Sequence, residues 1–237
     1  LGLRAVWLRT NGTQLLATLV TSEANADELI RLSPRLTRCD GLAVSFYRDG
    51  GNVLRGADAT VLRGIEELDV LGTPIGPLGF MQPNPKVAER MYDDLVDGLG
   101  EGRIFDLYAG AGATTRRLRA FASEVVPCES HPEAARSLRI DPETAESFLA
   151  RQTDAPDAVV ANPPRKGLGA VVTGELLRLR PARIHVMACG PSGLAKDMRA
   201  LSKAYRLESL RAYDTLPQTP HVELIAKLVR LEAVLGN

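Results

Sequence analysis

The residues able to do chemistry in this chain stand where short apolar runs give way to loops. Cys189 lies in Met187-Ala188-Cys189-Gly190-Pro191-Ser192-Gly193, directly after one such run. A helix is expected to begin just beyond it, near Gly193, and a helix N-terminus favours thiolate over thiol. A free cysteine is equally a small buried hydrophobe, the reading that suits Cys39 and Cys128. Glu223 interrupts an apolar stretch, with Val222 before it and Leu224-Ile225-Ala226 after it. Such a carboxylate is either the exposed alternate of a half-buried strand or a group placed to move a proton. His221 would share its face and reads as a packing or surface histidine.

Two further run ends carry ligand-binding chemistry. Asp106-Leu107-Tyr108-Ala109-Gly110-Ala111-Gly112 offers glycines that let backbone approach a ligand, followed by a helix start with free N–H groups. Glu129 stands 17 residues after Gly112, near the spacing at which a carboxylate meets ribose hydroxyls in nucleotide-binding folds. A tight turn and a solvent-facing Glu is the plainer alternative. In Asn162-Pro163-Pro164-Arg165-Lys166-Gly167 the prolines hold extended backbone. They can project an amide that both donates and accepts over a flat ligand edge, or make a rigid connection capped by Asn162.

The elements that must position these groups fall into two regions. Residues 1–80 read as a β-rich subdomain. A hairpin is expected across Asn11-Gly12, a short helix at 26–32, a second turn at Asp49-Gly50-Gly51 before a strand at 52–55, and short strands up to Leu71. From 81 to 237 helical periods alternate with apolar runs. Helices are expected along the Val87, Met91, Leu95, Leu99 stripe and over 113–121, 131–138, 143–151, 170–179 and 194–201. Strands are expected at Ile104-Phe105-Asp106, Glu124-Val125-Val126, 158–161 and 184–188, with a β-like tail over 221–228. This alternation implies an α/β fold, a doubly wound and mostly parallel Rossmann-like sheet whose ligands lie at the carboxyl ends of the strands.

Composition narrows the classes. The 237 residues, 45 % hydrophobic and 24 % charged, are those of a folded globular chain. Lys+Arg and Asp+Glu both number 29, so non-specific polyanion binding is not expected. Yet 24 of the 29 basic residues are arginine, including Arg116, Arg117, Arg119 and Arg165, and arginine suits bidentate phosphate contacts. Three cysteines without a C-x-x-C leave no metal site or metal cluster to expect, and they fit a cytoplasmic compartment. No membrane segment or leader is read. The chain opens on Leu1 rather than Met, so a longer protein with a further N-terminal part is also an expectation.

Taken together, five motifs resemble the S-adenosylmethionine-dependent RNA uracil-5 methyltransferases that act on transfer and ribosomal RNA. They are Phe80-Met81-Gln82-Pro83-Asn84, the 106–112 segment, Asn162-Pro163-Pro164-Arg165-Lys166-Gly167-Leu168, Ala188-Cys189-Gly190-Pro191 with Leu194-Ala195-Lys196-Asp197, and His221-Val222-Glu223. The resemblance implies a class I methyltransferase domain over 81–237. S-adenosylmethionine would lie against Gln82, Asp106, Tyr108, Gly110, Gly112, Glu129 and Asn162. Phe80 and Arg165 would place a flipped uridine of rRNA or tRNA, Cys189 would be the nucleophile and Glu223 the base. Two other readings are carried beside it. One is an amino-group nucleic-acid methyltransferase working through the Asn162-Pro163-Pro164 loop, although Arg165 stands where such a loop has an aromatic. The other is a non-catalytic RNA-binding homologue.

Overall fold

The computed structural model describes residues 2–22, 28–29, 31, 33–47, 56, 58–82 and 84–232. Most of the helix expected at 26–32, and the turn and strand expected at 49–55, lie outside these residues. The chain divides into two compact units, Leu1–Met81 and Gln82–Asn237.

In the first unit, β1 (Leu3–Thr10) and β2 (Leu15–Thr21) pair antiparallel. Their turn holds because the Asn11 side-chain oxygen accepts the Thr13 and Gln14 N–H groups at 3.1 and 2.9 Å, and Gly12 supplies a φ of 95°. Next come β3 (Gly41–Phe46), parallel to β2, and β4 (Ala59–Gly64), antiparallel to β3. The β-structure does not stop at Leu71. Leu71 and Gly72 both take positive φ and turn β5 (Leu68–Val70) into β6 (Thr73–Ile75), where Pro74 is accommodated opposite Asp69 in a two-stranded ribbon.

The second unit opens with α1 (Pro85–Val96), whose start is set by Pro85 and by the Asn84 side chain accepting the Val87 N–H. Then follow β7 (Arg103–Leu107), α2 (Ala113–Leu118), β8 (Glu124–Cys128), α3 (Pro132–Leu138), α4 (Ala145–Ala150) and β9 (Ala158–Ala161). The chain continues through α5 (Gly169–Leu179), β10 (Arg183–Ala188), α6 (Pro191–Leu201), β11 (Tyr205–Tyr213) and β12 (Glu223–Arg230). The six strands form one sheet in the order β11-β12-β10-β9-β7-β8. β8, β7, β9 and β10 run parallel, while β12 pairs antiparallel with both β10 and β11. Strand alternation sends Phe105, Val159 and Ile184 into one apolar layer and Ile104, Val160 and Met187 into the other, so both faces are covered.

The strand order reverses between β7 and β9. β7 leads outward to β8, whereas β9 leads the other way to β10, so a crevice opens at the carboxyl ends of β7 and β9. The register sets those ends level, with Leu107 opposite both Cys128 and Ala161.

One helix reaching this crevice is held by a buried polar network at its far end. Asp94 of α1 accepts from Tyr213 at 2.9 Å and pairs with Lys227 at 3.0 Å, and Lys227 also reaches Asp97. His185, fully buried, donates its Nδ1–H to the Leu95 carbonyl at 2.7 Å. Its Nε2 has no protein partner, and burial pushes its pKa down to about 4.

This depression has a testable sign. Between pH 6.5 and 4 the unfolded chain takes up a proton that folded His185 refuses, so the stability His185 contributes is lost as pH falls. Asp106 runs the opposite way: burial raises it from 3.8 to about 7, so its contribution is lost as pH rises through that window. The two slopes offset each other in the wild type. His185→Asn, which keeps a donor for Leu95, removes one of them. Its stability relative to wild type is expected to fall with rising pH by about 1.4 kcal/mol per unit between pH 4.5 and 6.5, read by urea unfolding. Parallel curves for the two proteins would contradict the assignment.

Candidate active site

Five chain segments converge on the crevice. After β7 the backbone turns sharply, with Tyr108 at φ 57°, Gly110 at 57° and Gly112 at 92°, before α2 begins. A side chain at Gly110 would project into open space, so the glycine leaves the crevice floor clear. Asp106 is buried beneath this turn, where it accepts from the Thr115 hydroxyl at 2.5 Å. Burial, reinforced by the Glu129 charge, raises its carboxyl to about 7, with Thr115 and Arg119 opposing. Asp106 therefore braces the glycine turn from below. Burial likewise raises the Tyr108 phenol.

Glu129 follows β8 at the crevice edge, only partly buried. One carboxylate oxygen accepts the Gly110 N–H at 2.8 Å and the other the His131 N–H at 2.6 Å. These two bonds fix its orientation and leave acceptor capacity on both oxygens, as recognition of a vicinal diol needs. The fourth group, Asn162, follows β9, and its backbone N–H donates to the Leu107 carbonyl at 3.2 Å, tying the β9 end to the β7 turn. Gln82 is buried at the start of the second unit, near Tyr92 of α1. Tyr92 also feels the charges of Asp106 and Glu223, and the Arg117 guanidinium lies over its ring at 5.2 Å. Nothing in the apolar stripe of α1 singled out Tyr92, because its place in the crevice depends on how that helix docks. Phe80 belongs to the first unit, where it is 67 % exposed.

Cys189 and Glu223 come together through strand register. Ala188 pairs with Leu224 across β10 and β12, and one step further the same antiparallel register sets Cys189 opposite Glu223. Each side chain is partly buried. The Arg165 guanidinium acts on both, easing ionisation of the thiol and lowering the Glu223 carboxyl against the larger upward push of burial. His221 acts on Glu223 in the same sense as Arg165.

The expectation that a helix N-terminus lowers the Cys189 thiol is not met. The helix does start close by, at Pro191, but burial and the facing Glu223 carboxylate raise the thiol above its ordinary value, and Arg165 offsets only part of this. Cys39 and Cys128 are the buried hydrophobes expected of them, and burial pushes the Cys128 thiol up to about 12.

Opposite shifts follow from removing the two neighbours. The pH midpoint for iodoacetamide alkylation of Cys189, followed on its peptide by mass spectrometry, is expected to fall in Glu223→Gln and rise in Arg165→Met. Movement of both variants in the same direction would contradict the arrangement.

Among the described residues no three His, Cys, Asp or Glu side chains are grouped to hold a metal ion, and no helix is long and apolar enough to cross a membrane.

A mostly parallel six-stranded sheet with an antiparallel β12 and a glycine turn at its switch point is the fold of the class I methyltransferases. The tRNA (Uracil-5-)-methyltransferase family matches residues 152–230, the span that carries Asn162, Arg165, Cys189 and Glu223. An uncharacterized RNA methyltransferase of Thermosynechococcus vestitus is 31 % identical over 209 residues, covering 79 % of this chain and 46 % of the relative. A 23S rRNA (uracil(747)-C(5))-methyltransferase of Vibrio cholerae is 31 % identical over 181 residues, covering 70 % of this chain and 48 % of the relative. In structure, the tRNA (uracil-54, C5)-methyltransferase of Pyrococcus abyssi, solved with S-adenosyl-L-homocysteine, superposes with a TM-score of 0.78 at 28 % identity, covering 96 % of this chain and 60 % of that one. Over the matched spans the chain is similar to the RNA uracil-5 methyltransferases. It spans about half the length of the curated relatives it matches.

Proposed function

We propose that this chain is the catalytic part of an enzyme that methylates C5 of a uridine in ribosomal or transfer RNA. The observation that carries the reading is the placement of a thiol and a carboxylate opposite each other at neighbouring strand ends, with Arg165 reaching both, beside a nucleotide-type crevice. The amino-group alternative uses the Asn162 loop alone and gives Cys189 and Glu223 nothing to do.

The crevice residues fit S-adenosylmethionine. Glu129 would take the ribose hydroxyls, the Gly110 turn and Tyr108 would flank the nucleoside, and Gln82 and Asn162 would meet its polar groups. When bound, that cofactor supplies an electrophilic methyl group.

The chain's own residues prepare the acceptor. C5 of uracil is a weak nucleophile, so the Cys189 thiolate adds to C6, and the C5–C6 electron pair moves toward C5 and the O4 carbonyl as an enolate. Arg165 favours the ionised form of the thiol. After methylation C5 carries both methyl and hydrogen. Glu223 removes that proton, the pair re-forms the C5–C6 double bond, and the Cys189–C6 bond breaks to return the thiolate. A base inside folded RNA must leave its stack to reach these groups, a task for an exposed residue such as Arg165.

The direct test is incubation with RNA and S-adenosylmethionine carrying a labelled methyl group, then digestion to nucleosides. Label in 5-methyluridine is expected. Label on an exocyclic amine of adenosine or cytidine would overturn the reading in favour of the amino-group alternative.

A further inference from the structure

Arg165 sits on an exposed turn, yet the site needs it at one place. The turn itself is short: the Gly167 N–H donates to the Pro164 carbonyl at 2.8 Å, leaving Arg165 and Lys166 at its two central positions. What holds this turn against the rest of the site is helix α6, the helix that follows Cys189. Gly193, in its first turn, lies so close that a Cβ there would stand 3.0 Å from both the Arg165 carbonyl oxygen and the Gly167 nitrogen. One helical turn later, on the same face, Asp197 is buried, with 4 % of its surface exposed. Its two oxygens accept the Leu168 N–H at 2.8 Å and the Gly169 N–H at 3.2 Å. Gly167, at φ 83°, packs directly on the same carboxylate, where any side chain would collide with it. Cys189, Gly193 and Asp197 are thus carried by one short stretch of chain, and two of them clamp the turn whose guanidinium reaches the third.

We propose that Asp197 is a positioning residue for the reaction: by anchoring the Leu168 and Gly169 N–H groups it fixes the 164–167 turn so that Arg165 lies against Cys189. The inference rests on the reading of Cys189 as the nucleophile and deepens it. Asp197 touches no reacting atom. Removing it leaves two buried N–H groups without their acceptor and frees the turn to swing toward solvent, taking Arg165 away from the thiol.

The prediction differs in sign from a simple charge effect. The groups that face Cys189 are Arg165 from the turn and Glu223 from β12, while Asp197 itself faces Tyr108 of the glycine turn. If Asp197 acted on Cys189 only through its own charge, its loss would make the thiolate easier to form. If it acts by holding Arg165, its loss makes the thiolate harder to form.

The experiment is the pH profile of Cys189 alkylation by iodoacetamide in the full ligand-free chain, read by peptide mass spectrometry in wild type, Asp197→Asn, Arg165→Met and the double variant. Asp197→Asn is expected to raise the midpoint, slowing alkylation about threefold or more near neutral pH, and to add nothing once Arg165 is already Met. Alkylation of buried Cys39 and Cys128 reports any general opening of the fold in the same samples. Should Asp197→Asn expose them, Gly193→Ala replaces it. That variant keeps the carboxylate and improves helix propensity, but must push the turn by a few tenths of an ångström, and a smaller rise in the same direction is expected.

An unchanged midpoint, a lowered one, or a rise that persists in the Arg165→Met background would overturn the proposal. The readout needs neither RNA nor cofactor. A protein that methylates no uridine but shows the coupled shift would refute the proposed function alone, and one that methylates uridine without the shift would refute the role of Asp197 alone.

Discussion

Cys189→Ala is expected to lower methyl transfer to RNA by at least about 10³-fold while leaving S-adenosylmethionine binding and the unfolding temperature close to wild type. The size of the loss follows from the chemistry. Without addition at C6, C5 has no enolate character, and the remaining machinery can only hold two unreactive partners together. The selectivity follows from the structure. Cys189 lies beyond the end of β10, makes no hydrogen bond that closes the fold, and is only partly buried, so a methyl in its place removes little packing. Its neighbours in the crevice, Glu129 and the Gly110 turn, are tied to each other and not to the thiol. Single-turnover transfer of labelled methyl, with cofactor affinity measured by calorimetry on the same preparations, separates the two quantities. A variant that loses cofactor affinity in proportion to its rate would place Cys189 in binding instead.

Glu223→Gln produces a different failure. The amide has the shape of the carboxylate but cannot take up the C5 proton, so the covalent adduct should form and then persist, with release slowed by about 10²- to 10⁴-fold. Removing the carboxylate also removes one of the two influences that raise the Cys189 thiol, so the first step should be no slower than in wild type. The expected record is a single burst of methyl transfer per protein followed by a stall. pH gives a second signature. Burial raises the Glu223 carboxyl above its usual range, and only its ionised form is a base, so wild-type release should decline as pH falls through that raised value. In Glu223→Gln this decline should be absent. Continued rapid turnover by the variant would remove Glu223 from the base role.

The candidate residues were more legible in the sequence than the way they are held. The glycine turn, Glu129, Asn162 and Cys189 could be found because each sits where an apolar run ends, and a parallel sheet gathers such ends on one side; Glu223 joins them from the start of the antiparallel strand β12. The pairing of Cys189 with Glu223 was not readable from spacing: it depends on the antiparallel register of β10 and β12, set by the course of the chain between them. That course was itself obscured. β11 (Tyr205–Tyr213) is an edge strand with most of its residues exposed, so it lacks the apolar alternation that marks a half-buried strand. Tyr92 stood unremarked on its helix, and Asp197 figured only as part of a motif without a role, for a related reason. A helix shows its apolar stripe in sequence but not which polar residue beside that stripe will meet a loop from elsewhere in the chain. The start of α6 was placed too late because Pro191 and Gly193 read as loop residues, whereas Pro191 serves as a helix start and Gly193 allows close packing of the Arg165 turn.

Attack of Cys189 on the base can be trapped with RNA containing 5-fluorouridine. Glu223 cannot remove fluorine as a proton, so the methylated adduct should remain attached to the protein. A covalent protein–RNA species that requires S-adenosylmethionine, maps to the Cys189 peptide and is absent from Cys189→Ala is the predicted result. An adduct on another residue, or methylation of ordinary RNA at an equal rate by wild type and Cys189→Ala, would contradict it.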